Sequence, residues 1–266
     1  MNSFPRMTAH TGCMGTPDNT LQSIETGLNY GADILEEDVL VTADGILVLS
    51  HDDHVHLADG TERWISQMSY EQLRILDIKT HNGAQGETIR ILPLDALLPY
   101  LQESGVQMNL DLKSDACVEP IAAWIEKNQL LEQVFLSGCE TDRAALVQRV
   151  NPHLRKLLNV DPDVFMTDAP YIEVVHHICR DAAASACFGL NLNYRVVKPE
   201  LLPIADGYGL DVCIWTVNEL DEMKHFIQMG VQSITTRNIA DLVRIKTERQ
   251  ESIVNTNYPT DVETQH

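Results

Sequence analysis

From residue 94 onward the chain repeats one unit, a short apolar strand followed by an amphipathic helix, and nothing else restricts its fold as much. Apolar residues at helical spacing over 94–104, 118–129, 142–150, 172–184, 198–208, 220–229 and 239–249 alternate with strand-like runs at 107–113, 134–137, 155–160, 188–193, 210–217 and 232–235. Strands separated by helices pair in parallel, because the helix carries the chain back to the end where it started. Upstream, 7–10 and 34–42 read as two further strands. Between them a helix opens near Asp18 and Asn19, both good caps, and stops at Gly31. About eight βα units in 266 residues predict an α/β fold, a (β/α)8 TIM barrel. No glycine-rich dinucleotide fingerprint opens the chain, which weighs against a doubly wound sheet. Residues 52–92 break the rhythm and are expected as a small irregular insertion after the second strand, with one short helix over 70–76. The expected organisation is one domain over 1–252 and a C-terminal tail over 253–266, where periodicity ends.

Charge narrows the partners. With 19 basic and 39 acidic side chains the net charge is −20, which argues against nucleic acid and against anionic membrane surfaces. A phosphate-bearing small molecule would be repelled at long range, so local cations or a metal must hold it. The six cysteines form no CxxC pair, and the first ten residues contain no apolar signal core. No apolar run reaches the roughly 18 residues of a membrane span. Reduced thiols and a cytoplasmic location are therefore expected. Oligomeric state leaves no mark on this sequence.

Chemistry-bearing residues concentrate in GADILEEDVLVTADGILVLSHDD, residues 31–53. Glu36 and Asp38 are two apart on a strand and so share a face. Paired carboxylates suit a hard cation that takes oxygen ligands. His51, just past the next apolar run, could serve as general acid or base beside it. The 107–113 strand puts Asn109, Asp111 and Lys113 on one face; Asp111 either completes the oxygen site or pairs with Lys113, and both can hold. Glu37 points the other way and is expected as a structural ion-pair partner. His10, Trp215 and Asn218 also fall at strand ends, where barrel active sites lie. Trp215 reads as pocket wall rather than core. In HDDHVH, His54 and His56 read as solvated loop histidines, with a second metal as the alternative.

AHTGCMGTPDNT, GADILEEDVLVTADGILVLSHDD, NLDLK, VCIWTVN and GVQSITT, in this order and spacing over roughly residues 7–245, resemble the glycerophosphodiester phosphodiesterase family. The resemblance implies a barrel with an insertion after the second strand. It also implies a metal-dependent phosphodiesterase that yields sn-glycerol 3-phosphate and an alcohol. It makes His10 and His51 the acid/base pair, without saying which is which. Glu36, Asp38 and Asp111 become ligands of one divalent cation, Mg2+ or Ca2+ with Mn2+ also compatible. Lys113, Trp215 and Thr11 fall at substrate-binding positions. Several positions depart from the family pattern. Thr11 stands where an arginine normally grips phosphate, and Asp18 replaces glutamate. Asp111 replaces glutamate, Gly138 replaces phenylalanine, and Arg237 replaces aspartate. Two readings stay open, an active phosphodiesterase with drifted substrate contacts and a non-catalytic binding or regulatory protein on the same barrel.

Overall fold

The computed structural model describes residues 3–80, 82 and 86–257. Among these, eight parallel strands form the barrel: β1 Arg6–Ala9, β2 Ile34–Val41, β3 Gln107–Leu112, β4 Val134–Ser137, β5 Leu157–Val160, β6 Gly189–Asn193, β7 Asp211–Trp215 and β8 Ser233–Thr236. Each strand pairs with the next in sequence except β4 with β5, and β1 also pairs with β8. Between β4 and β5 the ring closes through a parallel bridge, Leu136 to Lys156, where Leu136 N–H donates to the Arg155 carbonyl at 2.9 Å. The helices α1 Leu21–Asn29, α2 Leu98–Ser104, α3 Val118–Lys127, α4 Thr141–Val150, α5 Tyr171–Ala184, α6 Leu201–Gly207, α7 Leu220–Met229 and α8 Ile239–Asn257 follow the strands in turn.

The helices lie outside because each offers one apolar stripe to the sheet. In α3 that stripe is Val118, Ile121, Ala122 and Ile125, buried in the main core with Met108 and Leu110 of β3. The cap of α1 is Thr20, whose hydroxyl accepts from Ser23 N–H, rather than Asp18 or Asn19. That difference frees Asn19 for another task. Strand β2 is buried along nearly its whole length, including three consecutive acids, Glu36, Glu37 and Asp38. An unpaired buried charge costs on the order of several kcal/mol, so such a run needs cations or a function to hold it there.

The insertion is more regular than its composition suggests. Leu47–Leu49 adds antiparallel to the end of β2. Two small ribbons follow, His54–His56 with Glu62–Trp64 and Ile78–Lys79 with Thr88–Ile89. They cover a separate apolar cluster that includes Leu40, Val48, Val55, Ile65 and Leu73. The last helix, α8, runs to Asn257, into the stretch expected as a tail; positions 258–266 lie outside the described residues. No helix among the described residues is long and apolar enough to cross a membrane.

Candidate active site

The C-terminal ends of the strands enclose a cavity of about 400 Å3. His10, Glu36, Asp38, His51, Asp111, Lys113 and Trp215 all line it. A larger cavity of about 690 Å3 opens at the other end of the barrel, among the first residues of the strands such as Arg6 and Asp211, and contains none of these groups.

Register builds the acidic centre. Glu36 lies beside Asn109 and Asp38 beside Asp111 across the β2–β3 pair. One oxygen from each of Glu36, Asp38 and Asp111 falls within 4.8 Å of the others. Ser137, opposite Asp111 on β4, has a buried hydroxyl without a hydrogen-bond partner, as does the side-chain oxygen of Asn109. An all-oxygen donor set with unpaired buried oxygens beside it fits a hard divalent cation. The Lys113 ammonium answers part of the charge, 2.8 Å from Asp38 Oδ1 and 3.3 Å from Asp111 Oδ2. Burial presses the Asp38 carboxyl upward, but the Lys113 ammonium, together with His51 and the Asn19 amide, holds the group below the ordinary range. Asp111 is raised by burial, only partly offset by Lys113. Glu36 is raised well above the ordinary range by burial and then by the charges of Asp38 and Asp111. Burial works against the Lys113 charge, yet the two aspartates hold its pKa above the usual lysine value.

The histidines are oriented through Nδ1. In His10 that atom lies 2.8 Å from the Thr11 carbonyl, which can only accept, so Nδ1 carries the hydrogen and Nε2 keeps the lone pair. Burial lowers the His10 pKa, and the Arg237 guanidinium lowers it further. A neutral imidazole with a free Nε2 is a ready base. His51 Nδ1 lies 2.8 Å from Asp52 Oδ1, which again leaves Nε2 to exchange a proton. Trp215 lines the cavity, and its indole N–H is buried without a partner, so the ring is pocket wall with a donor to spare.

Thr11 requires a correction. It is only 1% exposed, its hydroxyl donates to Glu37 Oε2 at 2.8 Å and it accepts from Asn19 N–H at 2.6 Å. The side chain braces the segment after β1 against β2 and does not line the cavity. Glu37 has no ion pair among the described residues; Thr11 is its hydrogen-bond partner, and burial raises its pKa well above the ordinary range. Asn218 also stays out of the cavity lining, accepting instead from Arg237 N–H at 2.9 Å.

Arg143 carries no signal in the sequence, and Asn19 and Arg237 are legible there only as a helix cap and a departure from the family pattern, not as parts of the site. Asn19 donates from its amide to Asp38 Oδ2 at 3.1 Å and accepts from Asp38 N–H at 3.2 Å, fixing that carboxylate. Its PDNT context was the available signal. Arg143 on α4 lines the cavity, donating to the Leu112 carbonyl at 2.7 Å, to the Gly138 carbonyl, and to Asp115 at 2.6 Å. Gly138 has φ +68°, and a Cβ there would lie 2.1 Å from Asp111 Oδ1, which explains why no phenylalanine stands at this point. Arg237 pairs with Asp18 at 2.5 Å over Gly12, where a Cβ would strike both side chains. A guanidinium thus returns to the neighbourhood of His10, from the residue just past β8 rather than from residue 11.

A model of the glycerophosphoryl diester phosphodiesterase family matches residues 10–241. The chain is similar to a glycerophosphodiester phosphodiesterase of Caldanaerobacter subterraneus, 25% identical over 243 residues, covering 89% of this chain and 96% of that one. Among solved structures it resembles a putative glycerophosphoryl diester phosphodiesterase from Silicibacter pomeroyi, with TM-score 0.77 and 23% identity over 93% of this chain and 95% of that one. It also resembles an Oleispira antarctica phosphodiesterase solved with its product sn-glycerol 3-phosphate, with TM-score 0.70 and 20% identity over 92% and 97% of the two chains.

Proposed function

This chain belongs to the glycerophosphoryl diester phosphodiesterase family and is a phosphoric diester hydrolase, and from that premise we propose that it cleaves glycerophosphodiesters at the barrel mouth, releasing a phosphomonoester such as sn-glycerol 3-phosphate and an alcohol. The observation that carries this reading is the meeting, in one cavity, of three carboxylates, a lysine and two histidines held through Nδ1. The product bound to the Oleispira antarctica relative supports a substrate of that size.

Glu36, Asp38 and Asp111 would hold one divalent cation, Mg2+ or Ca2+ by the hardness of their oxygens. Such an ion, when bound, supplies positive charge to phosphoryl oxygens and acidifies a nearby hydroxyl. Lys113 adds a fixed ammonium at the same edge, beside Asp38 and Asp111, where phosphate charge develops. His10 Nε2 takes the proton of the attacking hydroxyl: where water attacks, the phosphomonoester forms directly, and where the substrate's own glycerol hydroxyl attacks, a cyclic phosphate forms first and water then opens it to the phosphomonoester. His51 delivers a proton to the departing alkoxide. Asn19 keeps the Asp38 carboxylate in place, and the Trp215 indole N–H is available to an acceptor on the substrate.

The test is a panel of glycerophosphodiesters incubated with Mg2+, Ca2+ or Mn2+, reading free alcohol and phosphomonoester. The expected result is equimolar release of both products, abolished by excess EDTA. No turnover of any diester with any of the three ions would favour a binding protein on the same barrel. Full activity in EDTA would remove the metal from the account.

A further inference from the structure

The ribbon His54–His56 with Glu62–Trp64 carries a group that the barrel chemistry does not use. On a strand, positions two apart project to one side, so His54 and His56 stand together. The antiparallel register puts Glu62 directly opposite His56 and Trp64 directly opposite His54. The carboxylate of Glu62 divides between the imidazoles: Oε2 lies 3.0 Å from His54 Nε2, and Oε1 lies 3.3 Å from His56 Nδ1. The Trp64 ring stacks on His54 at 4.6 Å and limits its rotation. Ligand atoms from all three residues fall within 4.8 Å of one another, on side chains that are each 37–49% exposed and open to ions from solvent.

We propose that His54, His56 and Glu62 form a second metal site, for a borderline-soft dication such as Zn2+. Two imidazole nitrogens and one carboxylate oxygen are the donor set such ions prefer, whereas Mg2+ and Ca2+ select oxygens. Metal–nitrogen distances of about 2.0–2.1 Å would draw the three side chains slightly inward from their present spacing, with water completing the coordination. The alternative is a pair of ordinary ion contacts, but a single carboxylate aligned on two rings, one of them held by a tryptophan, goes beyond that. The site would tie the two strands of the ribbon together. His56 and His51 line the same small cavity, so the tie lies on the segment that follows His51.

Trp64 is the reporter, being 42% exposed and in contact with a ligand ring. Zn2+ is titrated into the whole protein in millimolar Mg2+, reading tryptophan emission and calorimetric stoichiometry. The expected result is a saturable emission change with one Zn2+ per chain at this site. It persists in Glu36→Gln, which disables the barrel's oxygen site, and is lost in His56→Ala and in Glu62→Gln. Circular dichroism identifies folded variants, and either of the two decides the matter if the other fails to fold. No Zn2+ response in the wild type, or an undiminished response in a folded His56→Ala or Glu62→Gln, would overturn the proposal.

Discussion

Replacing Glu36 with Gln removes one of the three carboxylates proposed to hold the cation and keeps the side chain's shape. In the metal-free protein the Glu36 carboxyl is held well above its ordinary range by burial and by Asp38 and Asp111. The folded state keeps a proton that the unfolded state has released, so this group removes stability as pH rises from the ordinary carboxylate range through the raised value. The amide escapes that loss, and the metal-free variant should melt no lower than wild type at neutral pH. Metal binding reverses the order. At a cation concentration about a hundredfold above Kd, binding stabilises the wild type by about 2.7 kcal/mol. For a chain near this size that is roughly 5–11 °C in Tm. If losing one charged ligand weakens binding about a hundredfold, the same concentration gives only about 0.4 kcal/mol, or roughly 1–2 °C. The assay is thermal melting of both proteins in EDTA and in Mg2+ or Ca2+, with diester turnover measured alongside. A variant that keeps the full wild-type increment would refute the ligand assignment. A metal-free variant that melts clearly below wild type would refute the electrostatic reasoning.

Glu37→Gln should raise stability at pH 7–8 and flatten its dependence on pH, because burial raises the carboxyl well above its ordinary range; chemical denaturation at several pH values measures this, and equal slopes for both proteins would count against it. Thr11→Arg should cost about 1–3 kcal/mol by breaking the Glu37 and Asn19 contacts, and should not raise kcat/KM on glycerophosphodiesters. A gain in turnover there would show that residue 11 can still reach the phosphate. All six cysteines are buried, with Cys139 and Cys213 pushed up to about 12 and Cys179 and Cys187 to about 11 by burial. An aromatic disulfide reagent at pH 8 should therefore label the folded protein slowly and all six thiols only after unfolding; rapid labelling of the native chain would contradict the packing described.

Much of the barrel was legible because its signal is periodic. A strand of period two places Glu36 and Asp38 on one face whatever surrounds them, and β2 keeps that phase. The strand–helix alternation fixed the architecture for the same reason. What escaped depends on contacts distant in sequence. Asn19 looked like a cap, yet Thr20 caps α1 and Asn19 instead fixes Asp38. The sequence points Thr11 at substrate because an arginine is usual there; its short side chain is instead satisfied by Glu37 and Asn19 inside the wall. Arg237 meets Asp18 only because β8 closes against β1. The ribbons of the insertion have strands of two or three residues, too short for a period to show. The last turns of α8 are mostly polar in sequence and offer no apolar stripe by which a helix could be recognised.

The central claim is that His10 and His51 move the protons of phosphodiester cleavage. It is tested most directly by steady-state turnover of His10→Ala and His51→Ala, each on a glycerophosphodiester and on a p-nitrophenyl diester. Each change should lower kcat on the natural diester by roughly 10²- to 10⁴-fold with a small effect on KM. His51→Ala should lose much less on the p-nitrophenyl substrate, whose leaving group needs little protonation, whereas His10→Ala should lose on both. Wild-type turnover in both single variants would contradict the account.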